Sequence, residues 1–186
     1  MTATLTGFPP IAGSSARILI LGSMPSVSSL QQQRYYAHPR NAFWPIMANL
    51  FGFSADSDYA LRCEILIRHH IALWDCIQCC QRQGSLDQHI QTDSIIPNDF
   101  DTFLQHHPHL THLFFNGHKA RQLFQRFIEP QCPSLLARLE KKRLPSTSPA
   151  HAALRFEQKL AAWQAVKTAL TSPIGQHKGE FHQGLR

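Results

Sequence analysis

The sequence predicts an α/β fold, a three-layer α/β/α sandwich built on a central four-stranded parallel sheet. Two observations carry this. Short apolar runs alternate with segments of helical periodicity, and strands that alternate with helices pair in parallel under crossover helices. The runs also end in polar or glycine-bearing segments: Gly22-Ser23, Asp75, Asn116-Gly117 and Pro145-Ser146. In an open parallel sheet those ends gather at one edge, beyond which ligands bind. The chain has 186 residues, 43% of them hydrophobic, which suits one domain with a real core. That domain is expected over residues 1–170, with a loose polar tail over 171–186.

Each element has a local reason. Arg17-Ile-Leu-Ile-Leu-Gly22 is a continuous apolar run, the pattern of a strand covered on both faces. The loop Ser23 to Arg40 follows. Asn41 is placed to cap a helix reaching about Phe51, with Phe43, Met47 and Leu50 on one face and Pro45 in the first turn. A second helix is expected from Asp58 to His69, with Leu61 and Ile65 inward, and Ile71 to Trp74 reads as the second strand. Asp75 to Asp99 is polar and punctuated and reads mostly as loop, before a short helix marked by Phe100, Phe103 and Leu104. Leu110 to Phe115 is the third strand, and Ala120, Leu123, Phe124 and Phe127 have helical spacing. Lys142 to Leu144 is a short fourth strand, Pro145 to Ala150 a loop, and Phe156 to Leu170 the last helix.

Composition narrows the function. No apolar run approaches the roughly 20 residues that span a bilayer, and Met1 to Ser15 lacks the pattern of a secretory signal. A soluble, cytoplasmic, monomeric protein is expected. The net charge of +6 is compatible with a phosphate-backbone partner, and Arg138, Lys141, Lys142 and Arg143 precede the Pro145 loop. Cys76, Cys79 and Cys80 lie close together, but Cys63 and Cys132 do not complete the paired spacing of a metal site. Reduced, packing thiols are expected, with no metal and no cofactor. Phosphate-loop and nucleophile-elbow motifs are absent, which argues against nucleotide-binding and acyl-transfer enzymes.

Two segments carry a resemblance. One is Gly22-Ser23-Met24-Pro25-Ser26 followed by Tyr35-Tyr36-Ala37-His38-Pro39-Arg40-Asn41-Ala42-Phe43-Trp44. The other is Leu144-Pro145-Ser146-Thr147-Ser148-Pro149-Ala150-His151. Together they resemble motifs one and two of the uracil-DNA glycosylases. The first is similar to the mismatch-specific uracil glycosylases, the second to the deoxyinosine (hypoxanthine) glycosylases. Leu73-Trp74-Asp75, Gly84-Ser85-Leu86-Asp87 and Phe114-Phe115-Asn116-Gly117 fit the latter branch. The resemblance spans Arg17 to Leu170. One position departs from the wider family: Met24 stands where other branches carry a polar residue that places water, and a thioether cannot polarise water.

The resemblance implies a monofunctional DNA glycosylase that flips out a deaminated base, foremost hypoxanthine, and hydrolyses its glycosidic bond to start base excision repair. The alternatives are a uracil or mismatch glycosylase, or a DNA-binding relative without excision activity. Asn41 is then the candidate catalytic residue, holding water or the base, while a helix cap is the plain structural reading. Tyr36, Asn116, Gly22, Ser23 and Met24 are candidates for holding the base. For Asn116, reading the base and bracing the pocket are equally open. Ser26, His38, Ser146, Thr147, Ser148, Pro149, Ala150, His151 and Lys142 are candidates for contact with DNA, the 145–151 loop entering the helix as the base leaves. Ordinary turn chemistry is the alternative for the serines.

Overall fold

The computed structural model describes residues 4–171. The expected tail falls outside that range except for Thr171, which closes the last helix. The strands are β1 (Thr4–Thr6), β2 (Ile18–Gly22), β3 (Ile71–Asp75), β4 (Ile77–Gln81), β5 (Ile96–Pro97), β6 (His112–Asn116) and β7 (Glu140–Leu144). The helices are α1 (Val27–Gln32), α2 (Phe43–Phe51), α3 (Tyr59–Arg68), α4 (Phe100–His106), α5 (His118–Leu123), α6 (Pro133–Leu136) and α7 (Phe156–Thr171).

Four strands form the parallel sheet in the order β3-β2-β6-β7. All five residues of β2 are buried, because the strand is central and both faces are covered. Its side chains alternate between two cores. Leu19 and Leu21 join Trp74, Phe100, Leu113, Phe115 and Phe124 on one side. Ile18 and Ile20 join Phe43, Met47, Leu66, Phe114 and Trp163 on the other. The expected three-layer sandwich is therefore present.

Four local expectations need correction. The stretch Asp75 to Asp99 is not mainly loop. It contains β4 and β5, and β4 pairs antiparallel with β5 on one side and with β1 on the other, in a second sheet of order β1-β4-β5. Its pattern is obscure locally because β4 finds its partner some 75 residues away, at Thr4–Thr6. Leu61 faces outward at 42% exposure. The inward face of α3 runs through Tyr59, Cys63 and Leu66 instead, at helical spacing of four and three. The strand β7 starts two residues earlier than expected, at Glu140, where it pairs with His112. Beyond α5 the chain continues as a π-helical turn, Phe124–Ile128, and Phe127 is only partly buried.

Helix α2 is buried more widely than one face: Phe43, Trp44, Ile46, Met47, Ala48 and Leu50 are all enclosed. Pro45, at its third residue, lies where an N–H has no intrahelical partner to lose. The helix stops at Gly52, whose φ of 73° and N–H to the Ala48 carbonyl form a left-handed cap. Truncating the sheet centre should be costly. Ile20→Ala is expected to destabilise the protein by about 2–5 kcal/mol in urea unfolding, with the parallel sheet still formed in the native baseline.

Candidate functional site

The carboxyl ends of β2, β3, β6 and β7 meet at a cleft of about 100 Å3. Gly22 and Ser23 enter it from β2, Asp75 from β3, Asn116 from β6, and Ser146 to Ser148 from the loop after β7. Tyr36 and Asn41 come from the long loop before α2, and Ser85 and Asp87 from the segment after β4. Ligand pockets for drug-sized molecules run to roughly 300–1,000 Å3, so this cleft suits one small planar ring.

Close backbone approach sets two of its walls. A Cβ on Gly22 would collide with Asp75 Oδ1. At Gly117, φ is 96° and a Cβ would stand 2.9 Å from the Ser146 side chain. Both positions therefore demand glycine.

Thr147 ties the parts together. Asn116 Nδ2 donates to Thr147 Oγ1 at 2.9 Å, and the Thr147 N–H donates to Asn116 Oδ1 at 2.9 Å. The Thr147 carbonyl accepts the Ala42 N–H at 3.0 Å. One fully buried residue thus links the end of β6, the 145–151 loop and the start of α2. Of the two readings open for Asn116, bracing is present in the geometry, and its second N–H is the part that can address a ligand.

Helix α7 supports the loop from below. Trp163 Nε1 donates to the Pro145 carbonyl at 2.9 Å, and the buried Lys159 Nζ donates to the His151 carbonyl at 2.9 Å. Burial lowers the lysine pKa from its ordinary value. These two residues lie four apart on one helix face. Their spacing was visible in sequence, but a lysine at that position reads as solvated surface.

Tyr36 and Tyr35 have different roles. Tyr35 is core: it is buried, and its hydroxyl donates to the Pro9 carbonyl at 3.1 Å. Tyr36, at φ 54°, lays its ring on Phe43 with centroids 4.1 Å apart. The residue is half-buried, and its hydroxyl is enclosed beside the Asn116 amide. Burial, with Asp75 adding to it, holds this phenol far above its usual titration range.

Asn41 also lines the cleft. Its Oδ1 accepts the Phe43 N–H at 3.0 Å, so the expected cap exists in part, although the cap position itself is Ala42. The Oδ1 keeps a second lone pair and the amide keeps its two N–H donors for other work.

The floor is electrostatically unusual. Asp75 is buried, and its Oδ2 has no hydrogen-bond partner among the described residues. Burial, reinforced by the neighbouring Asp87 and opposed by Arg82, pushes its pKa up to about 7. Asp87 accepts the Ser23 hydroxyl at 2.8 Å. Arg82 is buried beneath this wall and donates to the carbonyls of Pro25 and Gly84 at 2.5 and 2.8 Å. Ser85 and Asp87 fall in a segment that carries the resemblance, but neither they nor Arg82 received a role in the site from sequence, because the polar stretch gave no strand end to place them on.

Other expected residues are placed as follows. Met24 borders the cleft but is only 6% exposed and packs in the core with Trp74 and Phe115. Ser26 lines the cleft and caps α1, accepting the Ser29 N–H. His38 stands beside Tyr36 and Asn41 but outside the cleft, its Nδ1 accepting the Arg40 N–H at 3.1 Å. Ser146 and Ser148 reach the cleft, each accepting a backbone N–H two residues on. Pro149 and His151 are half-buried and Ala150 is exposed at the loop crest.

Two expected residues are placed away from the accessible surface of the cleft. Thr147 is wholly buried and belongs to the frame. Lys142 does not join the site: it lies on the edge strand β7, beside a groove lined by Ala161, Ala165 and Thr168 of α7. Of its basic run, Arg138 donates to the Pro108 carbonyl and Lys141 pairs with Glu129, whereas Arg143 lines a pocket with Pro145, Ser146 and His151 of the loop. Among the described residues no group of His, Cys, Asp and Glu is arranged to hold a metal ion, and no helix is long and apolar enough to cross a membrane.

Residues 9–167 match the family model of the uracil DNA glycosylase superfamily. The chain belongs to that superfamily. It is 35% identical over 162 residues to a hypoxanthine DNA glycosylase of Methanosarcina acetivorans, covering 86% of this chain and 96% of that protein. It is 37% identical over 115 residues to a hypoxanthine DNA glycosylase of Methanosarcina barkeri, covering 61% and 72%. A solution NMR structure from Methanosarcina acetivorans, provisionally assigned as a uracil DNA glycosylase, superposes with a TM-score of 0.75 at 33% identity. That superposition covers 91% of this chain and all of the other.

The buried carboxyl has a thermodynamic consequence. The native state holds the Asp75 proton more tightly than the unfolded chain does. Stability should therefore fall as pH rises from the ordinary carboxylate range to about 7, and level off above it. Asp75→Asn keeps the shape and removes the charge. Its urea-unfolding free energy should change less between pH 5 and pH 8 than that of the wild type.

Proposed function

We propose that this superfamily member excises a deaminated base from DNA, hypoxanthine foremost, by hydrolysing its N-glycosidic bond. The observation that carries the reading is the convergence of Tyr36, Asn41 and the unpartnered Asp75 carboxyl on one base-sized cleft at the sheet edge. The names of the Methanosarcina relatives support the choice of base.

The chemistry asks for three tasks. The base must leave the duplex, at a cost of a few kcal/mol in lost stacking. It must be held while the sugar gains oxocarbenium character, and water must be aimed at the sugar carbon. Tyr36 presents the ring face opposite Phe43, and stacking of this kind is worth roughly 1–3 kcal/mol per base. Asn41 places the water. An amide is no general base, so its contribution is position and electrostatics. This division accounts for Met24: with no polar side chain at that position, the task passes to the amide across the cleft.

Asp75 serves the departing base. Below about pH 7 its carboxyl is protonated, and a neutral buried acid donates a hydrogen bond to a base that leaves with negative charge. The Tyr36 hydroxyl, whose oxygen faces the Asn116 amide, keeps its proton as a second donor beside it. Ser146 and Ser148 at the mouth offer hydroxyls to phosphates on either side of the flipped nucleotide, while the Ser26 hydroxyl donates to Ser29 and fixes the start of α1. His38 holds the loop that carries Tyr36 and Asn41.

Duplexes carrying hypoxanthine, uracil, xanthine or mismatched thymine test the reading. Hypoxanthine release is expected to be fastest, and uracil release without hypoxanthine release overturns the substrate. Asn41→Ala should lower single-turnover excision by about 100-fold or more, on the scale of a lost positioning group, while binding to lesion-free DNA changes little. The pH profile tests Asp75. The excision rate should fall as pH rises through about 7, because the donor proton is lost, and Asp75→Asn should flatten that limb since its amide still donates.

A further inference from the structure

Flipping leaves a gap in the base stack, and proteins that hold DNA open fill such gaps with an apolar wedge. The 145–151 loop is poorly equipped for this. From Ser146 to Ala153 no residue carries a large apolar side chain apart from Pro149. Its backbone is instead drawn down onto α7 by Lys159 and Trp163.

The opposite rim does carry such a group. Leu86 is 44% exposed, one of three large hydrophobic side chains so exposed among the described residues. The other two, Leu61 and Ile96, do not line the cleft or the groove beside it. Leu86 stands with Gln88 on one side of a groove of about 250 Å3, facing Ser146, Ser148, Ala150 and His151. The groove adjoins the base-sized cleft, with which it shares Ser85, Asp87, Ser146 and Ser148.

Its exposure is not that of a slack loop. On one side, Ser85 Oγ accepts the Val27 N–H at 2.9 Å. On the other, Asp87 accepts the Ser23 hydroxyl. The turn before it is closed by Arg82 on the Gly84 carbonyl, with Gly84 at φ 67°. Leu86 itself is extended, at φ −80° and ψ 129°. An apolar side chain is thus held out into solvent by polar anchors on both neighbours. A wedge needs that rigidity, since a mobile one loses its binding energy to ordering.

We propose that Leu86 is the wedge that occupies the space vacated in duplex DNA by the flipped nucleotide, while the 145–151 loop rests on the backbone across the groove. This makes Leu86 a positioning residue: it stabilises the flipped state and touches no reacting atom. The inference rests on the glycosylase reading.

The experiment compares wild type, Leu86→Ala and Leu86→Met on duplex and single-stranded oligonucleotides containing hypoxanthine, with 2-aminopurine beside the lesion to report unstacking. Single strands have no stack to fill. Leu86→Ala should lower the ratio of duplex to single-strand excision about ten-fold or more, given the few kcal/mol at stake in unstacking, and abolish the 2-aminopurine rise. Leu86→Met should restore both. An unchanged ratio, or equal losses on both substrates, overturns the proposal. If the wild type releases no base from either substrate, the excision reading falls, and the 2-aminopurine signal in the three proteins still decides the wedge.

Discussion

The clamp between the Asn116 amide and Thr147 is the interaction on which the rest of the site depends. Two hydrogen bonds of 2.9 Å join the end of the third sheet strand to the loop that follows the fourth. A third bond, from the Ala42 N–H to the Thr147 carbonyl, recruits the start of α2. Asn41 and Tyr36 therefore take their positions from a residue that is itself wholly buried. Buried polar groups are expensive when unpaired and rigid when fully paired, and here the pairing fastens three stretches far apart in sequence. The glycine at 117 lets Ser146 come close enough for that contact.

A contrast in satisfaction runs through the cleft. Its frame is hydrogen-bonded, whereas its floor contains a carboxyl oxygen, Asp75 Oδ2, without a partner among the described residues. Folding tolerates such groups at a cost of roughly 1–3 kcal/mol each. Active sites are where such costs concentrate, because a preorganised donor spends no energy reorienting during the reaction. The acidic pair Asp75 and Asp87, with Arg82 behind it, follows the same logic: the arginine offsets the raised pKa values only in part.

Sequence was informative where periodicity is local. The apolar run Ile18 to Leu21 and the phased aromatics of α2 announced the sheet and one of its cores. The two long motifs, with the segment Phe114-Phe115-Asn116-Gly117 between them, brought Gly22, Tyr36, Asn41, Asn116 and Ser146 to one edge, and the structure places all five in the cleft. Local pattern failed where a partner is distant. The strand β4 reads as polar loop because it needs Thr4–Thr6 beside it, and with it went Ser85 and Asp87. Leu61 looked inward on a helix whose buried face is defined by Tyr59, Cys63 and Leu66. Lys142 was assigned by proximity in sequence to the loop, but it sits on an edge strand that aims it toward α7. Lys159 was invisible because a lysine enclosed under a loop cannot be told from a solvated one by composition.

The small second sheet acquires a different meaning from this placement. The rim bearing Ser85, Leu86 and Asp87 hangs from β4, and β4 is secured on one side by the three residues of β1. That closure ties the rim to the apolar core under the parallel sheet, which Ile77, Cys80 and Ile90 enter together with Leu19, Leu21 and Phe115. The rim therefore shares the cooperativity of the larger sheet. Both sides of the cleft are parts of one packed body, and its width is set by folding itself.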